Sequence, residues 1–149
     1  MAKAILAAMA VAAALTIGSA QGVRGTPFDL SQFKWKNRLL LLFSPQRDHP
    51  FFDSLHQAVM NRKGDVADRD LIVFEIVEKG PSTVNGADID PQTALSLRTQ
   101  FDTPSGEFTL VLIGKDGEVK LTRRERTEIE DIFGLIDSMP MRRQEMRNK

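Results

Sequence analysis

The stretch RLLLLFSPQRDHPFF, residues 38–52, decides the fold of this chain. It begins with an apolar run of strand length, and a run without polar alternation is typical of a strand covered on both faces. A polar turn follows Phe43, and after the turn comes a helical pattern in which Pro50 fits the first turn. The stretch therefore predicts a central strand at residues 38–44 that leads through a turn into a helix.

The other elements follow from apolar periodicity, turn residues and helix caps. The first helix is expected to end at Gly64, a second buried strand is predicted at residues 70–77, and the polar segment 78–90 is predicted as a loop. After this loop we predict a helix capped by Asp90 and then a strand in EFTLVLIG. A two-residue hairpin turn at Asp116-Gly117 is expected to connect that strand to another in VKLTR. The last predicted helix begins with a capping box at Thr127 and Glu130 and ends at Pro140.

The order of these elements, βα-β-α-ββα, indicates the fold class. A strand, a helix and a second buried strand imply a parallel pair joined by a right-handed crossover. The later hairpin adds antiparallel pairing. We therefore predict an α/β fold with a four-stranded mixed sheet and helices on both faces, an arrangement that resembles the thioredoxin-like fold.

Residues 1–20 have the composition of an export signal. They combine an early lysine, the apolar run AILAAMAVAAALTI and the small residues Gly18-Ser19-Ala20 at a predicted cleavage site. The run is shorter than the about 20 apolar residues of a membrane-spanning helix. We expect a signal peptide, then a linker and lead-in at residues 21–37, and a thioredoxin-like domain at residues 38–149. The mature protein would be periplasmic or secreted and would not span the membrane.

Charge and cysteine counts exclude several kinds of chemistry. The chain has 20 lysines and arginines and 20 acidic residues, whereas nucleic-acid binders concentrate positive charge, so no nucleic-acid partner is expected. It has no cysteine, which excludes thiol nucleophiles, disulfides, iron–sulfur clusters and cysteine-ligated zinc. The glycines are isolated at turns and form no phosphate-binding loop. No cofactor is predicted.

Two segments carry a resemblance to known redox folds. LLLLFSPQRDHPFF resembles the thioredoxin strand that runs into the Cys-Gly-Pro-Cys turn, with residues 48–51 at those four positions, and FSP is similar to the opening of peroxiredoxin active sites. GEFTLVLIGKDGEVK resembles the later thioredoxin strand, with Phe108 in place of the cis-proline and Thr109 matching its threonine. Because the cysteines are absent, the resemblance implies the fold without thiol redox activity.

A finer resemblance covers most of the chain, from about Phe28 to Met146. The segments KWKNRLLLLFSP, RDLIVFEI, VLIGKDGEVKL and LIDSMPMRRQEM resemble domain of unknown function 4174, a family of exported bacterial proteins with relatives in animal extracellular-matrix and sushi-repeat proteins. This resemblance implies a thioredoxin-like, peroxiredoxin-related fold. It brings no agreed activity and no catalytic residues.

A ligand groove is predicted where the first turn meets the entrance of the later strand. Asp48, or the backbone around His49, is expected to satisfy the free N–H groups at the helix start. An extended peptide from an unknown protein partner could add main-chain hydrogen bonds in this groove. The chain is thus predicted to be a non-redox binding or structural module, and the predicted ligand-binding residues are Ser44, Asp48, His49, Phe108 and Thr109.

Three alternatives stay open. Asp53 and His56 lie on one side of the first helix with His49 and Met60, and their side chains could hold a metal ion, which would make the chain a metal-handling protein or an enzyme. Basic residues around Lys115 and Arg142 could form an anion or partner patch. A Ser-His-Asp hydrolase built on Ser44 is disfavoured, because the sequence has no Gly-x-Ser-x-Gly elbow.

Overall fold

The computed structural model describes residues 27–149, so the predicted signal peptide and the first part of the predicted linker lie outside the described residues. A 3-10 helix (Leu30–Phe33) precedes the first strand. The strands and helices are β1 (Arg38–Gln46), α1 (Pro50–Asn61), α2 (Lys63–Asp68), β2 (Leu71–Lys79), β3 (Ser82–Val84), β4 (Ala87–Ile89), α3 (Pro91–Gln100), β5 (Thr109–Ile113), β6 (Val119–Arg123), α4 (Ile129–Ser138) and α5 (Pro140–Arg147). Within residues 27–149 no helix has the length and apolar character that crossing a membrane requires.

One mixed sheet organises the domain, with the strand order β4-β3-β2-β1-β5-β6. β1 pairs in parallel with β2 and antiparallel with β5, and the outer pairs are antiparallel. The apolar run of β1 is central, as predicted, and each residue from Leu39 to Phe43 is at most 1% exposed. The central place of β1, parallel to β2, agrees with that run, because a strand without polar residues needs cover on both faces.

The sheet has six strands, so the prediction of four is wrong. The two extra strands, β3 and β4, form a hairpin inside the segment that was predicted as a loop. They are joined by Asn85 and Gly86, whose φ angles are 49° and 81°. Positive φ at both central residues is what a two-residue hairpin turn requires, and Asn-Gly is the pair that adopts it most readily. Short, polar strands lack strong periodicity, which is why this hairpin is hard to recognise.

Helices cover both faces of the sheet, as predicted. On one face, α1 and α4 bury Phe52, Leu55, Ile132 and Ile136 against the even-numbered leucines of β1. On the other face, Leu97 of α3 and the lead-in residues pack against the odd-numbered leucines. Side chains of a strand alternate between its faces, so β1 supplies the centre of both cores.

Two helix boundaries differ from those predicted. Gly64 does not end a helix, because it lies in the first turn of α2. The predicted capping box at the start of α4 is absent: Glu128 is the N-cap residue and makes no side-chain cap, while the Thr127 hydroxyl donates to the carbonyl of Glu125 at 3.3 Å. The cap of α3 is confirmed, since Asp90 accepts a hydrogen bond from the backbone N–H of Thr93 at 2.9 Å.

The hairpin between β5 and β6 has a longer turn than predicted. A two-residue hairpin turn would need positive φ at both Asp116 and Gly117. Gly117 has a φ of 82°, but Asp116 is not among the described residues with positive φ, so the prediction of a two-residue turn is wrong. The N–H of Gly114 donates to the carbonyl of Glu118 at 2.9 Å, and the N–H of Gly117 donates to the carbonyl of Gly114 at 3.0 Å. These bonds define a three-residue connection that ends in a left-handed glycine.

A final helix, α5, begins at Pro140, where only the end of α4 was predicted. Proline fits the first position of a helix because its missing N–H would be unpaired there in any case. Ion pairs hold α5 to the domain. Arg38, 1% exposed at the start of β1, donates to both carboxylate oxygens of Glu145 at 3.2 and 3.3 Å. Lys115 donates to the same carboxylate at 2.6 Å and to Asp70 at 2.8 Å.

A second part of this cluster surrounds Arg142, which is 3% exposed. Its guanidinium donates to Asp68 at 2.5 Å and to Asp137 at 3.1 Å. Lys115 and Arg142, which the sequence suggested as members of a basic patch, are therefore neutralised inside the domain. We call the whole cluster the α5 network; its members are Arg38, Asp68, Asp70, Lys115, Asp137, Arg142 and Glu145.

The carboxylates of the α5 network should make stability depend on pH in the acid range. Hydrogen bonds from Lys149 and Arg142 lower the pKa of Asp68 to about 2. Burial raises the pKa of Glu145, but hydrogen bonds from Lys115 and Arg38 outweigh it and the pKa is lowered. A carboxylate with a lowered folded-state pKa stabilises the folded state fully above its unfolded pKa, and that contribution disappears as the pH falls through the folded value.

We therefore expect the free energy of unfolding to fall between about pH 4.5 and about pH 2, where these carboxylates gain protons. Urea unfolding at a series of pH values measures it. Asp68→Asn should flatten the lower part of this profile, because its side chain no longer titrates. An unfolding midpoint at pH 2.5 equal to that at pH 6 would contradict the prediction.

Candidate functional site

A single glutamate interrupts the apolar pattern of β2. Glu75 is 6% exposed, and strand alternation places it on the same face as Val73 and Val77, toward α1. A buried carboxylate in an apolar face is costly unless hydrogen bonds satisfy it. Its partners therefore determine what this part of the molecule can do.

Three side chains from separate parts of the chain donate to Glu75. Nδ1 of His56 in α1 lies 2.6 Å from Oε1, Nη2 of Arg47 lies 3.1 Å from Oε2, and Oγ1 of Thr83 in β3 lies 3.4 Å from Oε2. An ionised carboxylate can only accept hydrogen bonds, so Nδ1 of His56 carries the proton. Within residues 27–149, Nε2 of His56 has no hydrogen-bond partner and can bind a ligand atom.

The ring of Phe52 lies against two side chains of this cluster, His56 and Arg47. The His56 ring stacks parallel to it, with 6.1 Å between centroids and an interplanar angle of 7°. The guanidinium carbon of Arg47 lies 5.5 Å from the same centroid, and Nη1 donates to the carbonyl of Pro81 at 3.1 Å. Phe52 and His56 are four residues apart in α1 and so lie on one side of the helix. The turn after β1 brings Arg47 over them.

Next to this cluster lies a groove of about 630 Å³ between the helices α1 and α2 and the strands β2 and β3. We call it the Glu75 groove. Apolar side chains line most of it, and polar groups stand along its walls. The apolar residues are Val59, Met60, Val66, Ala67, Leu71 and Val73, and the polar or glycine residues are Arg47, His56, Lys63, Glu75, Thr83, Asn85 and Gly86.

The charges of the Glu75 groove favour an anion. Glu75 offsets the charge of Arg47, and Lys63 has no ion-pair partner among residues 27–149. A volume of several hundred Å³ with apolar walls and a few convergent polar groups is typical of small-ligand sites. The groove is therefore suited to an apolar molecule that carries one anionic group.

The predicted peptide groove is only partly assembled. His49 and Phe108 are in contact, with ring centroids 5.7 Å apart, and Phe51 packs edge-on against both rings. His49 also caps α1, because its Nδ1 accepts from the N–H of Phe51 at 3.3 Å. Asp48 is exposed and does not cap the helix. The rings of His49, Phe51 and Phe108 thus lie between the turn after β1 and the start of β5, where the groove was predicted.

The two remaining residues of that groove lie inside the fold. Ser44 is fully buried and its hydroxyl donates to the carbonyl of Gln46 at 2.7 Å. Thr109 is 3% exposed, and its Oγ1 has no hydrogen-bond partner in the described part of the chain. Alternation along β5 places Thr109 with Val111, on the face opposite Phe108. Peptide binding at these five residues stays a prediction.

The two predicted metal ligands are used differently. Asp53 is exposed in the first turn of α1, and His56 binds Glu75 through Nδ1. No group of three histidine, cysteine or acidic side chains is placed to hold a metal ion within residues 27–149. Metal binding by Asp53 and His56 therefore stays a prediction. Within residues 27–149 no third histidine, cysteine or acidic side chain is placed to complete such a site.

Sequence reasoning missed Arg47, Glu75 and Thr83. The sequence does contain a signal for one of them, because Glu75 is the only charged residue in the strand pattern LIVFEIV. An acid at the centre of a buried strand needs partners or a function. Arg47 and Thr83 carry no comparable signal, since they lie in segments that read as a turn and a loop.

Comparison with known proteins gives a family and animal relatives. A family model described as "Domain of unknown function (DUF4174)" matches residues 29–145. Sushi repeat-containing protein SRPX of Homo sapiens is 30% identical, over 84% of this chain and 28% of its own length. Coiled-coil domain-containing protein 80 of Danio rerio is 27% identical, over 78% of this chain and 15% of its own length. The chain thus spans less than a third of these relatives.

Solved structures with a similar fold are peroxiredoxins. The reduced 2-Cys peroxiredoxin of Plasmodium vivax matches with a TM-score of 0.58 and 16% identity, covering 77% of this chain and 84% of that one. Thioredoxin peroxidase I of Plasmodium yoelii matches with a TM-score of 0.56 and 19% identity, covering 77% and 79%. At this identity the likeness shows the fold alone, which is the predicted thioredoxin-like α/β fold.

Proposed function

This chain belongs to the DUF4174 family, and from that premise we propose that it is an exported, non-redox binding domain whose ligand occupies the Glu75 groove. The chain has no cysteine, so the thiol chemistry that the names of its structural neighbours indicate is not available to it. Export is supported by the composition of residues 1–20, an apolar run followed by small residues.

The observation that carries this proposal is the buried Glu75 beside an apolar groove. A carboxylate on the core face of a strand contributes less to stability than the apolar residue that would fit there. Here Glu75 orients two side chains instead: it accepts from His56 at 2.6 Å and from Arg47 at 3.1 Å. A few convergent polar side chains beside an apolar cleft are typical of a small-ligand site.

The ligand that fits is an apolar molecule with one anionic group. Its apolar part would pack on the valines that line the groove, and its anion would receive hydrogen bonds from Arg47 and Lys63. Hydrogen bonds to charged groups are worth about 1.5 to 3 kcal/mol each, which is more than neutral ones. A neutral ligand of the same shape should therefore bind more weakly.

Calorimetric titration of the full chain with decanoate, and with decanol as the neutral probe, tests the proposal. We expect decanoate to bind, and decanol to bind at least about tenfold more weakly, since about 1.4 kcal/mol corresponds to a factor of ten. The double variant Arg47→Gln/Lys63→Gln should lose the preference for decanoate.

The matched control is Lys79→Gln/Arg143→Gln, which removes the same charge at two exposed positions outside the groove. It should bind decanoate as the unchanged chain does. Equal binding of both probes, or a preference that survives in Arg47→Gln/Lys63→Gln, would refute the anionic ligand. Binding of neither probe would remove the groove as a site for such molecules.

A further inference from the structure

Trp35 is the only tryptophan of the chain, and it is 61% exposed. Its backbone has a φ of 67°, a left-handed conformation that is rare for a bulky residue. An exposed aromatic ring held in an unfavourable backbone conformation needs a structural or functional reason. The Glu75 groove does not supply this reason, because neither Trp35 nor its neighbours in sequence line the groove.

Contacts with the β5–β6 hairpin hold Trp35 in place. Its N–H donates to the carbonyl of Lys115 at 2.6 Å. The side-chain carbons of Lys34 lie against Gly117, and the Lys34 ammonium is 5.4 Å from the centre of the Trp35 ring. The backbone is thus fixed by the hairpin while the ring points outward. Such an aromatic side chain loses little conformational freedom when a partner covers it.

Lys34 also lines an apolar cavity of about 300 Å³. Its walls include Phe33, Phe101 and Ile113, and Val119 at its rim is 53% exposed. The cavity is large enough for one sizeable apolar side chain, but it is small beside the Glu75 groove. An anchor pocket next to an exposed tryptophan is a common plan for the centre of a protein interface.

The charges around Trp35 are positive. Lys34 and Lys36 flank it in sequence, and neither has an ion-pair partner among the residues that the structure describes. The nearest acid at the cavity, Asp116, is bound by Lys120 at 2.6 Å, and these bonds lower the pKa of Asp116. We call Lys34, Trp35, Lys36 and Val119, together with this cavity, the Trp35 surface.

We propose that the Trp35 surface binds an acidic protein segment that carries one large apolar side chain. The apolar side chain would enter the cavity, the segment would cover Trp35, and its carboxylates would pair with Lys34 and Lys36. This is a protein-binding site separate from the Glu75 groove. A lipid surface fits less well, because a flat bilayer cannot reach into the cavity and the surface offers only Trp35 and Val119 as protruding apolar groups.

Because the chain has a single tryptophan, its fluorescence reports directly on this surface. The probe is the acetylated peptide Glu-Asp-Glu-Phe-Glu-Asp-Glu, titrated into the full chain at low salt. We expect the peptide to shift the emission of Trp35 to shorter wavelength as it excludes water. Alanine in place of the phenylalanine should weaken binding by a factor of about ten or more, because it removes the anchor.

A second part of the experiment reverses the charges of the two lysines beside Trp35. Lys34→Glu/Lys36→Glu keeps the tryptophan and should weaken peptide binding at least about tenfold, whereas Lys79→Glu/Arg143→Glu changes the net charge equally and should bind as the unchanged chain does. If both double variants lost peptide affinity equally, the effect would be one of general charge, and the proposal would be overturned. So would an unshifted emission up to millimolar peptide, or a shift produced by phosphatidylglycerol vesicles and not by the peptide.

Discussion

Replacing Glu145 with alanine is expected to lower the free energy of unfolding by about 3 kcal/mol or more, the cost of leaving a buried charge without its partner. Glu145 accepts hydrogen bonds from both Arg38 and Lys115. After truncation Arg38, 1% exposed, would keep only the carbonyl of Arg69, and its Nε already has no partner among residues 27–149. Urea unfolding followed by circular dichroism measures the change.

Two further variants separate the network from the loss of a surface glutamate. Glu107→Ala removes an exposed glutamate that has no ion pair within the described residues, and it should change stability by less than about 0.5 kcal/mol. Arg38→Met/Glu145→Leu removes both charges of one pair and should recover part of the loss, because no buried charge is then left unpaired at that position. A loss below about 1 kcal/mol in Glu145→Ala would mean that α5 does not depend on this network.

Phe74→Ala should destabilise the domain by about 3 to 5 kcal/mol, the usual cost of removing a buried phenylalanine ring from a packed core. Phe74 is fully buried in β2, and it contacts Phe28 and Phe33 edge-to-face with centroids 6.1 and 5.8 Å away. These two residues belong to the lead-in before β1. The substitution therefore leaves a cavity and also loosens the attachment of the lead-in to the sheet.

Thermal or urea unfolding measures this loss, and two controls define its origin. Phe74→Leu retains most of the apolar volume and should cost less than half as much. Leu95→Ala shortens a leucine of α3 that is 58% exposed and should have little effect. In Phe74→Ala, quenching of Trp35 fluorescence should also become easier, because the lead-in that carries Trp35 is less firmly held. If Phe74→Ala lowered the stability no more than Leu95→Ala does, the packing of Phe74 against Phe28 and Phe33 would be contradicted.

Much of the fold could be predicted because it depends on strong local patterns. The apolar run of β1 indicates burial on both faces, and the structure places that strand at the centre of the sheet with β2 parallel to it. Residues 119–123 were predicted as a strand and form β6. The Asp90 cap and the apolar period of α4 were also readable, since caps and periodicity involve only neighbours in sequence.

The errors occur where the local pattern is weak or ambiguous. Strands β3 and β4 have three residues each, too few to show alternation, although Asn85-Gly86 between them marks a hairpin. Helix α5 begins at Pro140, where the sequence predicted only the end of α4. Its sequence, PMRRQEMR, has almost no apolar face, so ion pairs with distant residues, rather than burial, hold it to the domain.

The candidate site was predicted only in fragments for the same reason. His56 was singled out by its place on α1, and Asp53 was expected as its partner. The structure gives it Glu75 instead, which is 19 residues away in sequence and comes close only when α1 packs on β2. Two side chains on one helix can be placed relative to each other from their spacing, whereas a contact between elements depends on how those elements pack.

By itself, the sequence determined the class of fold, the central strand, the family and the absence of thiol chemistry, because apolar patterns, short motifs and a missing residue type are properties of the chain. The tertiary structure alone decided which charges are buried together. Only packing brings Glu75 to His56 and Arg47, encloses Arg142 and Lys115, and leaves Trp35 outside. Burial determines whether a charged or aromatic side chain stabilises the domain or is available to a partner, and burial is a property of the folded chain.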